Sequence, residues 1–96
     1  MPAITRLGDL CTGHGCYPPR PSNQASGDVY VEGILVHRQS DSWEPHGCPT
    51  CAPHGGTLVS GSASVFANGL EIGRIGDPVS CGSSVLEGAA TVFAGD

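Results

Sequence analysis

The chain of 96 residues contains no lysine and four arginines, against nine aspartates and glutamates. Its net charge of −5 leaves no basic surface to neutralise phosphates, so we expect no nucleic-acid partner. No apolar run approaches the roughly 20 residues that span a bilayer, and residues 1–10 lack the basic start and apolar stretch of a secretory signal. We therefore expect a protein that is made and assembled in the cytoplasm.

Residues suited to a hydrophobic core are also scarce. Leu, Ile, Val and Phe make up 20 of the 96 residues, close to the roughly 20% below which a charged chain usually stays disordered. Glycine and proline are abundant instead, at 15 and 8 residues, and this abundance excludes long helices. A small domain with such a thin core commonly needs a disulfide, a metal ion or a partner to stay folded.

The five cysteines are an odd number and cannot all pair within one chain. A protein kept in a reducing compartment also rarely holds structural disulfides. Metal ligation is therefore the better explanation for at least some of these cysteines.

Short strands separated by turns are the expected secondary structure, because stretches rich in β-branched residues are repeatedly interrupted by glycine and proline. The dipeptide Asn68-Gly69 predicts a tight hairpin, since a type I′ turn needs positive φ at both central residues. The proline-rich stretch 17–26 predicts a loop outside any central strand. Strands are expected over 29–31, 34–38, 57–59, 64–67, 71–75, 84–86 and 91–94.

Two motifs recur three times each along the chain. The segments ITRLGD, LVHRQSD and EIGRIGD place an arginine three residues before an aspartate. We interpret each aspartate as a turn carboxylate that accepts hydrogen bonds from backbone N–H groups, with the arginine as its partner. The segments VYVEG, VFANG and VFAGD form the second series. The arginine–aspartate pairs are Arg6 with Asp9, Arg38 with Asp41 and Arg74 with Asp77.

The two series are staggered along the chain. It opens with an arginine–aspartate element that no strand precedes, and it closes with a strand that no such element follows. The two ends therefore complete each other as one unit, which makes three units in all. This order predicts a closed, pseudo-threefold β structure with neighbouring termini, whereas a linear solenoid would not need the stagger.

Three potential metal ligands follow the arginine–aspartate pairs at nearly the same spacing: His14, His46 and Cys81. Around a common axis they would converge, and His54 would complete a tetrahedral His₃Cys site of the kind that Zn²⁺ accepts. Such a closed site, with one ion per chain, supports folding and leaves no open position for a substrate. The same ligand types leave iron or another transition ion open as the metal.

Two other interpretations of these residues remain open. A Cys₄ zinc ribbon, typical of an adaptor module, would use the two short cysteine pairs. A small zinc-dependent hydrolase would need an open metal position; no nucleophile elbow or similar motif supports an enzyme, and we expect none. His37 lies within a strand pattern and is interpreted as a surface or packing residue. The ribbon cysteines, which could form disulfides in an oxidising compartment, would be Cys11, Cys16, Cys48 and Cys51.

With these repeats and ligands the chain resembles the PAAR-repeat family, the metal-bound tips of type VI secretion systems and contractile phage-tail spikes. The resemblance rests on GD-LCTGHG, SGDVYVEGILVHRQSD, PHGCPTCAPHGGTLVSGSASVFANG and RIGDPVSCGSSVLEGAATVFAGD. It implies an all-β cone, or pyramid, with zinc near its apex. The ligand positions that match the family are His14, His46, His54 and Cys81.

The resemblance also implies a partner and a role. The flat base of such a cone caps a trimeric β-helical spike, VgrG-like or from a phage, with one monomer on each trimer. The tip contacts the target membrane transiently as it pierces the envelope, and it leaves the cell when the machine fires. This chain departs from the family in that the Pro-Ala-Ala-Arg signature survives only as the arginine of LVHR and LEIGR. We expect a single domain over 1–96 with no extension domain.

Overall fold

The computed structural model describes residues 2–15, 17–48 and 51–95, with residues 46–48 and 51–54 described by their backbone alone. These residues form strands, bridges and turns without any helix, which confirms the expected all-β class. None of them therefore forms a helix of the length and apolarity that crossing a membrane requires. Three antiparallel hairpins pair β1 (Tyr30–Val31) with β2 (Ile34–Leu35), β3 (Ser42–Cys48) with β4 (Cys51–Thr57), and β5 (Phe66–Ala67) with β6 (Leu70–Glu71).

The two short hairpins turn through residues with positive φ. Asn68 and Gly69 have φ of 54° and 80°, which confirms the type I′ turn predicted between β5 and β6. The β1–β2 turn uses Glu32 and Gly33 at φ of 54° and 78°. A glutamate is strained in this conformation, and its carboxylate is held by hydrogen bonds from the backbone N–H and the hydroxyl of Thr91.

The long β3–β4 hairpin lies where no strand was expected before Thr57, so the prediction was wrong over 42–48 and 51–56. These two ranges contain two prolines and three glycines, which usually argue against a strand. In a sheet of only two strands, however, one edge of each strand is unpaired and accommodates a residue without an N–H. Shifts of register between Trp43 and His46 and between His46 and Cys48 absorb the remaining irregularity.

Several expected strands contribute only isolated bridges. Beyond Thr57, which ends β4, the stretches 57–59, 84–86 and 91–94 pair through isolated bridges at Leu58, Ser84, Val85 and Phe93. The proline-rich stretch 17–26 lies outside the named strands, as predicted, although Pro21 and Ser22 take part in bridges of this kind. Much of the β structure is therefore single pairings between distant segments.

A closed cycle of backbone hydrogen bonds joins the three arginine–aspartate segments. Thr5 N–H donates to the carbonyl of Gly73 at 2.9 Å, Gly73 N–H to that of His37 at 2.9 Å, and His37 N–H to that of Thr5 at 3.1 Å. Each of these residues directly precedes the arginine of its unit. Each segment is thus bonded to both of the others. The same cyclic order recurs in the bridges Ile4↔Arg74, Arg6↔Val36 and Arg38↔Ile72.

Most of the buried apolar residues form two small clusters around this cycle. The cycle itself is tightly packed, since a Cβ at Gly73 would lie 2.8 Å from Leu58 Cδ2 and 2.9 Å from Thr5 Cγ2. A side chain at position 73 would therefore require Leu58 and Thr5 to shift. The base cluster consists of Ile4, Val36, Ala67, Ile72 and Ala94. The arm cluster consists of Cys11, Trp43, Leu58, Val79 and Val85.

The two ends of the chain are neighbours, as the staggered repeats predict. Ala3 and Phe93 form an antiparallel bridge, and Ala94 N–H donates to the carbonyl of Pro2 at 3.0 Å. The last segment of the second series therefore pairs with the first segment of the chain.

The three arginine–aspartate turns share one geometry, shown here for the second. Asp41 Oδ2 accepts hydrogen bonds from the backbone N–H of Arg38 at 2.8 Å and from its Nε at 2.9 Å, while Oδ1 accepts from Nη2 at 3.1 Å. Asp41 N–H donates back to the Arg38 carbonyl, and Ser40 between them has φ of 76°. The expected turn carboxylates are confirmed. The same bonds join Arg6 to Asp9 and Arg74 to Asp77.

Each arginine also ties its own turn to a segment of the second series. The Nη1 group of Arg38 donates to Asn68 Oδ1 in the β5–β6 turn at 3.2 Å. The equivalent groups of Arg6 and Arg74 donate to Glu32 Oε1 and to the Gly95 carbonyl. The arginines therefore link the two threefold series to each other.

Replacing Asp41 with alanine should lower the free energy of unfolding by about 2 to 3 kcal/mol, because the change leaves the backbone N–H and guanidinium of Arg38 without their shared acceptor. Urea denaturation measures the loss. Glu44→Ala, at an exposed carboxylate, is the matched control and should change stability by less than about 0.5 kcal/mol. Equal effects of the two changes would contradict the structural role of the turn.

Candidate metal centre

Three arms carry the predicted metal ligands. Each arm is a reversal of the chain whose two sides pair with each other. The first arm closes at the bridge Leu10↔Pro21 and carries His14. The second arm is the β3–β4 hairpin, which carries His46 and His54. The third arm closes at the bridge Pro78↔Ser84 and carries Cys81.

The arms are joined to one another by a second closed cycle of backbone hydrogen bonds. Thr12 N–H, on the first arm, donates to the carbonyl of Ser84 on the third at 2.8 Å. Glu44 N–H, on the second arm, donates to the carbonyl of Pro21 on the first arm at 2.9 Å. Ser80 N–H, on the third arm, donates to the carbonyl of Thr57 on the second arm at 2.9 Å. The ligand-bearing stretches therefore start from three segments that are hydrogen-bonded to one another.

His46 and His54 occupy facing positions on the second arm. They are Cα partners in the β3–β4 register, so the backbone brings two of the four predicted ligands together. Their side chains lie outside the described residues, as does Cys16 of the rival ribbon.

Cys81 lies against the backbone of β4. A Cβ placed at Gly56 would lie 3.0 Å from Cys81 Sγ and 2.8 Å from Val79 Cγ1. Glycine at position 56 therefore makes room for the thiol at a point two residues beyond His54. The Sγ atom also lies 3.6 Å from Ser83 Oγ, within hydrogen-bonding distance for sulfur.

His14 is held in a tight reversal with Tyr17. The two residues exchange backbone hydrogen bonds of 2.9 and 2.7 Å, and their rings lie 4.8 Å apart. Gly13, with φ of 72°, precedes the reversal. His14 is partly exposed, so its imidazole is accessible from outside the arm cluster.

The described side chains alone do not assemble the predicted site. Among them, no group of three or more histidines, cysteines, aspartates or glutamates could hold a metal ion. Only His14 and Cys81 of the four predicted ligands have described side chains. The backbone brings the ligand-bearing arms together, while the coordination itself stays a prediction.

The sequence was compared with models of known protein families. The family model for the PAAR motif matches residues 12–87, a span that includes all four predicted ligands. The chain belongs to the PAAR-motif family. This match confirms the resemblance drawn from the sequence and covers most of the chain. No curated protein is significantly similar to it in sequence.

His37 has a structural role that the sequence did not reveal. Its side chain is fully buried, at 0% exposure, and its ring lies 3.9 Å from that of Trp43. Nε2 lies 2.9 Å from the carbonyl oxygen of Asp41 and must therefore donate to it. Nδ1 of the neutral ring is left to accept from the Ser22 hydroxyl at 2.6 Å. Both nitrogens are satisfied, which agrees with the exclusion of His37 from the ligand set.

Burial controls the protonation of this histidine. Removal from water lowers the pKa of His37 from 6.5 to about 4, although the nearby charge and carbonyl of Asp41 partly oppose the shift. The folded protein therefore keeps this ring neutral.

The protein should lose stability in mild acid through this histidine. Because the unfolded chain binds the proton near pH 6.5 and the folded chain only near pH 4, the free energy of unfolding falls as pH drops through that window. The loss is about 1.4 kcal/mol per pH unit and about 3 kcal/mol in all. Urea denaturation between pH 4 and 7 measures it.

The comparison variant for this measurement is His37→Gln, whose amide does not titrate. Every other residue is the same in both proteins, so the difference between the two pH slopes isolates His37. Parallel slopes would show that the buried imidazole does not control acid stability.

Proposed function

We propose that this chain is the tip of a contractile injection machine, capping a trimeric β-helical spike and sharpening it for piercing a target envelope. The observation that carries the proposal is the closed threefold cycle of backbone hydrogen bonds, in a chain that belongs to the PAAR-motif family. The spike is VgrG-like in a secretion system or its counterpart in a phage tail.

A pseudo-threefold cone accounts for the bonding pattern. Two cycles, one through Thr5, His37 and Gly73 and one through the three arms, connect equivalent positions of the three units in the same order. The molecule measures 39 × 23 × 23 Å, with one long axis and two equal short ones. These dimensions suit an axis that runs from the second-series segments, which we call the base, to the end of the arms.

The base presents an equivalent apolar residue on each of the three units. Tyr30, Phe66 and Phe93 are the aromatic residues of the three second-series segments, and they are 60%, 53% and 50% exposed. Exposed aromatic residues are enriched at protein interfaces. Three equivalent copies suit a partner with threefold symmetry, since each copy can meet the same site on one spike subunit.

The proposed zinc site lies at the other end, where His14, His46, His54 and Cys81 would hold one Zn²⁺. The second cycle of backbone hydrogen bonds supports this site. His14 and His46 each lie two residues after a donor of that cycle, Thr12 or Glu44, and Cys81 lies one residue after the third donor, Ser80. Neutral imidazoles with a single thiolate suit zinc in a closed site. When bound, the ion would add its binding free energy to folding and tie the arms together.

The mechanism of such a tip is mechanical. Axial load on a cone tends to splay its sides, and here backbone cycles oppose that movement at two levels. A closed metal site would add a third tie near the apex. The protein would be assembled in the cytoplasm, travel out with the spike and meet the target membrane first, without carrying out a reaction of its own.

Purified protein should contain one equivalent of zinc or another transition metal per chain, measured by inductively coupled plasma mass spectrometry. His14→Ala and Cys81→Ser should each weaken metal binding at least about tenfold, because a three-ligand site loses both a bond and its closed geometry. The double variant Cys48→Ser with Cys51→Ser should keep the full equivalent.

Each alternative predicts a different pattern. Retention of one equivalent in both His14→Ala and Cys81→Ser would remove the proposed site. Loss of metal on changing Cys48 and Cys51 would support the Cys₄ ribbon. A metal-bound water in place of the fourth protein ligand would support the hydrolase.

The base should bind a VgrG-like trimer from the same source with one chain per trimer, as measured by light scattering coupled to size-exclusion chromatography. Phe66→Asp should weaken this binding at least about tenfold, because it places a carboxylate in the buried centre of one contact. Val59→Asp is the control, since Val59 is also 50% exposed but lies outside the second-series segments. Equal weakening by both changes would argue against the base as the docking surface.

A further inference from the structure

The backbone pairs two cysteines at the end of the β3–β4 hairpin. Cys48 ends β3, Cys51 begins β4, and the two are Cα partners in the register. Opposite residues of antiparallel strands have Cα atoms about 4.5 to 5.5 Å apart. This separation lies within the roughly 4.4 to 6.8 Å that a disulfide spans. The hairpin therefore holds both residues at a distance suited to a bond.

The two cysteines whose side chains are described, Cys11 and Cys81, are placed differently. Cys11 is buried in the arm cluster with Trp43 and Val85. Cys81 packs against Gly56 and lies within hydrogen-bonding distance of Ser83. Neither is a strand partner of another cysteine in the part of the chain that the structure describes. The pair at the hairpin end is also outside the proposed metal ligand set.

We propose that Cys48 and Cys51 are a redox couple, a dithiol in the reducing cytoplasm and a disulfide once the protein meets a disulfide oxidant. One thiolate attacks a sulfur of the oxidant, such as glutathione disulfide, forms a mixed disulfide and releases one glutathione. The second thiolate attacks the protein sulfur of that intermediate, forms the Cys48–Cys51 bond and releases the second glutathione. Two electrons reduce the oxidant's bond, and the two protons end on the released thiols.

The β3–β4 register makes the pairing of Cys48 with Cys51 intramolecular. This pairing is therefore faster than linkage of either cysteine to Cys16 or to a second chain. Only two residues separate the cysteines in the sequence, so the second thiol meets the mixed disulfide at high effective concentration. The bond would close the hairpin beyond the rung formed by His46 and His54. It would thus hold the far end of the longest arm together in an oxidising compartment. The inference depends on the hairpin register and not on the proposed tip function.

The test equilibrates the purified, metal-loaded full chain with mixtures of reduced and oxidised glutathione, followed by alkylation and peptide mass spectrometry. We expect a loss of two alkylatable thiols and a peptide linked between Cys48 and Cys51. Cys51→Ser should leave Cys48 as a mixed disulfide that needs at least about tenfold more glutathione disulfide. Cys16→Ser is the matched control and should leave the midpoint unchanged within about twofold.

Three results would overturn the proposal. The first is a disulfide that links Cys48 or Cys51 to Cys16 or to a second chain. The second is alkylation of both thiols even at the highest oxidant concentration. The third is protection of both thiols by bound metal, which ends when a chelator is added. The second result leaves the tip function intact if the protein still holds its metal and binds the spike. Failure of the redox couple is therefore distinguishable from failure of the proposed function.

Discussion

The backbone cycle through Thr5, His37 and Gly73 is the constraint on which the rest of the structure depends. The chain has too few large apolar residues to hold three segments together by burial alone. Direct hydrogen bonds among the three segments substitute for part of that core, and both apolar clusters are built around them. These contacts join residues far apart in sequence, so their loop-closure cost is high and must be recovered by many weak interactions together.

The arginine–aspartate turns supply several of those interactions. Each carboxylate satisfies its own turn and also orients a guanidinium toward a segment of the second series, as Arg38 does between Asp41 and Asn68. Charged groups thus perform the linking that larger side chains perform in proteins with bigger cores. Bidentate geometry and partial burial make such pairs stronger than ordinary surface ion pairs. The three repeats therefore share a polar framework as well as a backbone pattern.

Sequence reasoning succeeded where the determinants are local. The Asn68-Gly69 turn and the carboxylate turns each depend on four neighbouring residues, and both are confirmed. It failed on the β3–β4 hairpin, because proline and glycine hide a strand whose pairing tolerates them. The role of His37 was equally hidden, since its partner Ser22 is brought to it only by the tertiary fold. The four-ligand metal site stays a prediction because half of its side chains are not described.

The three arms are unequal, although the segments beneath them are bonded as equivalents. As the proposed tip, such a chain would offer a nearly symmetric face at one end and an asymmetric point at the other. On a spike of three identical subunits, such a chain would have three interchangeable orientations, each a rotation by one third of a turn. Its seating would then be degenerate, and the direction in which the longest arm leans would vary from one machine to the next.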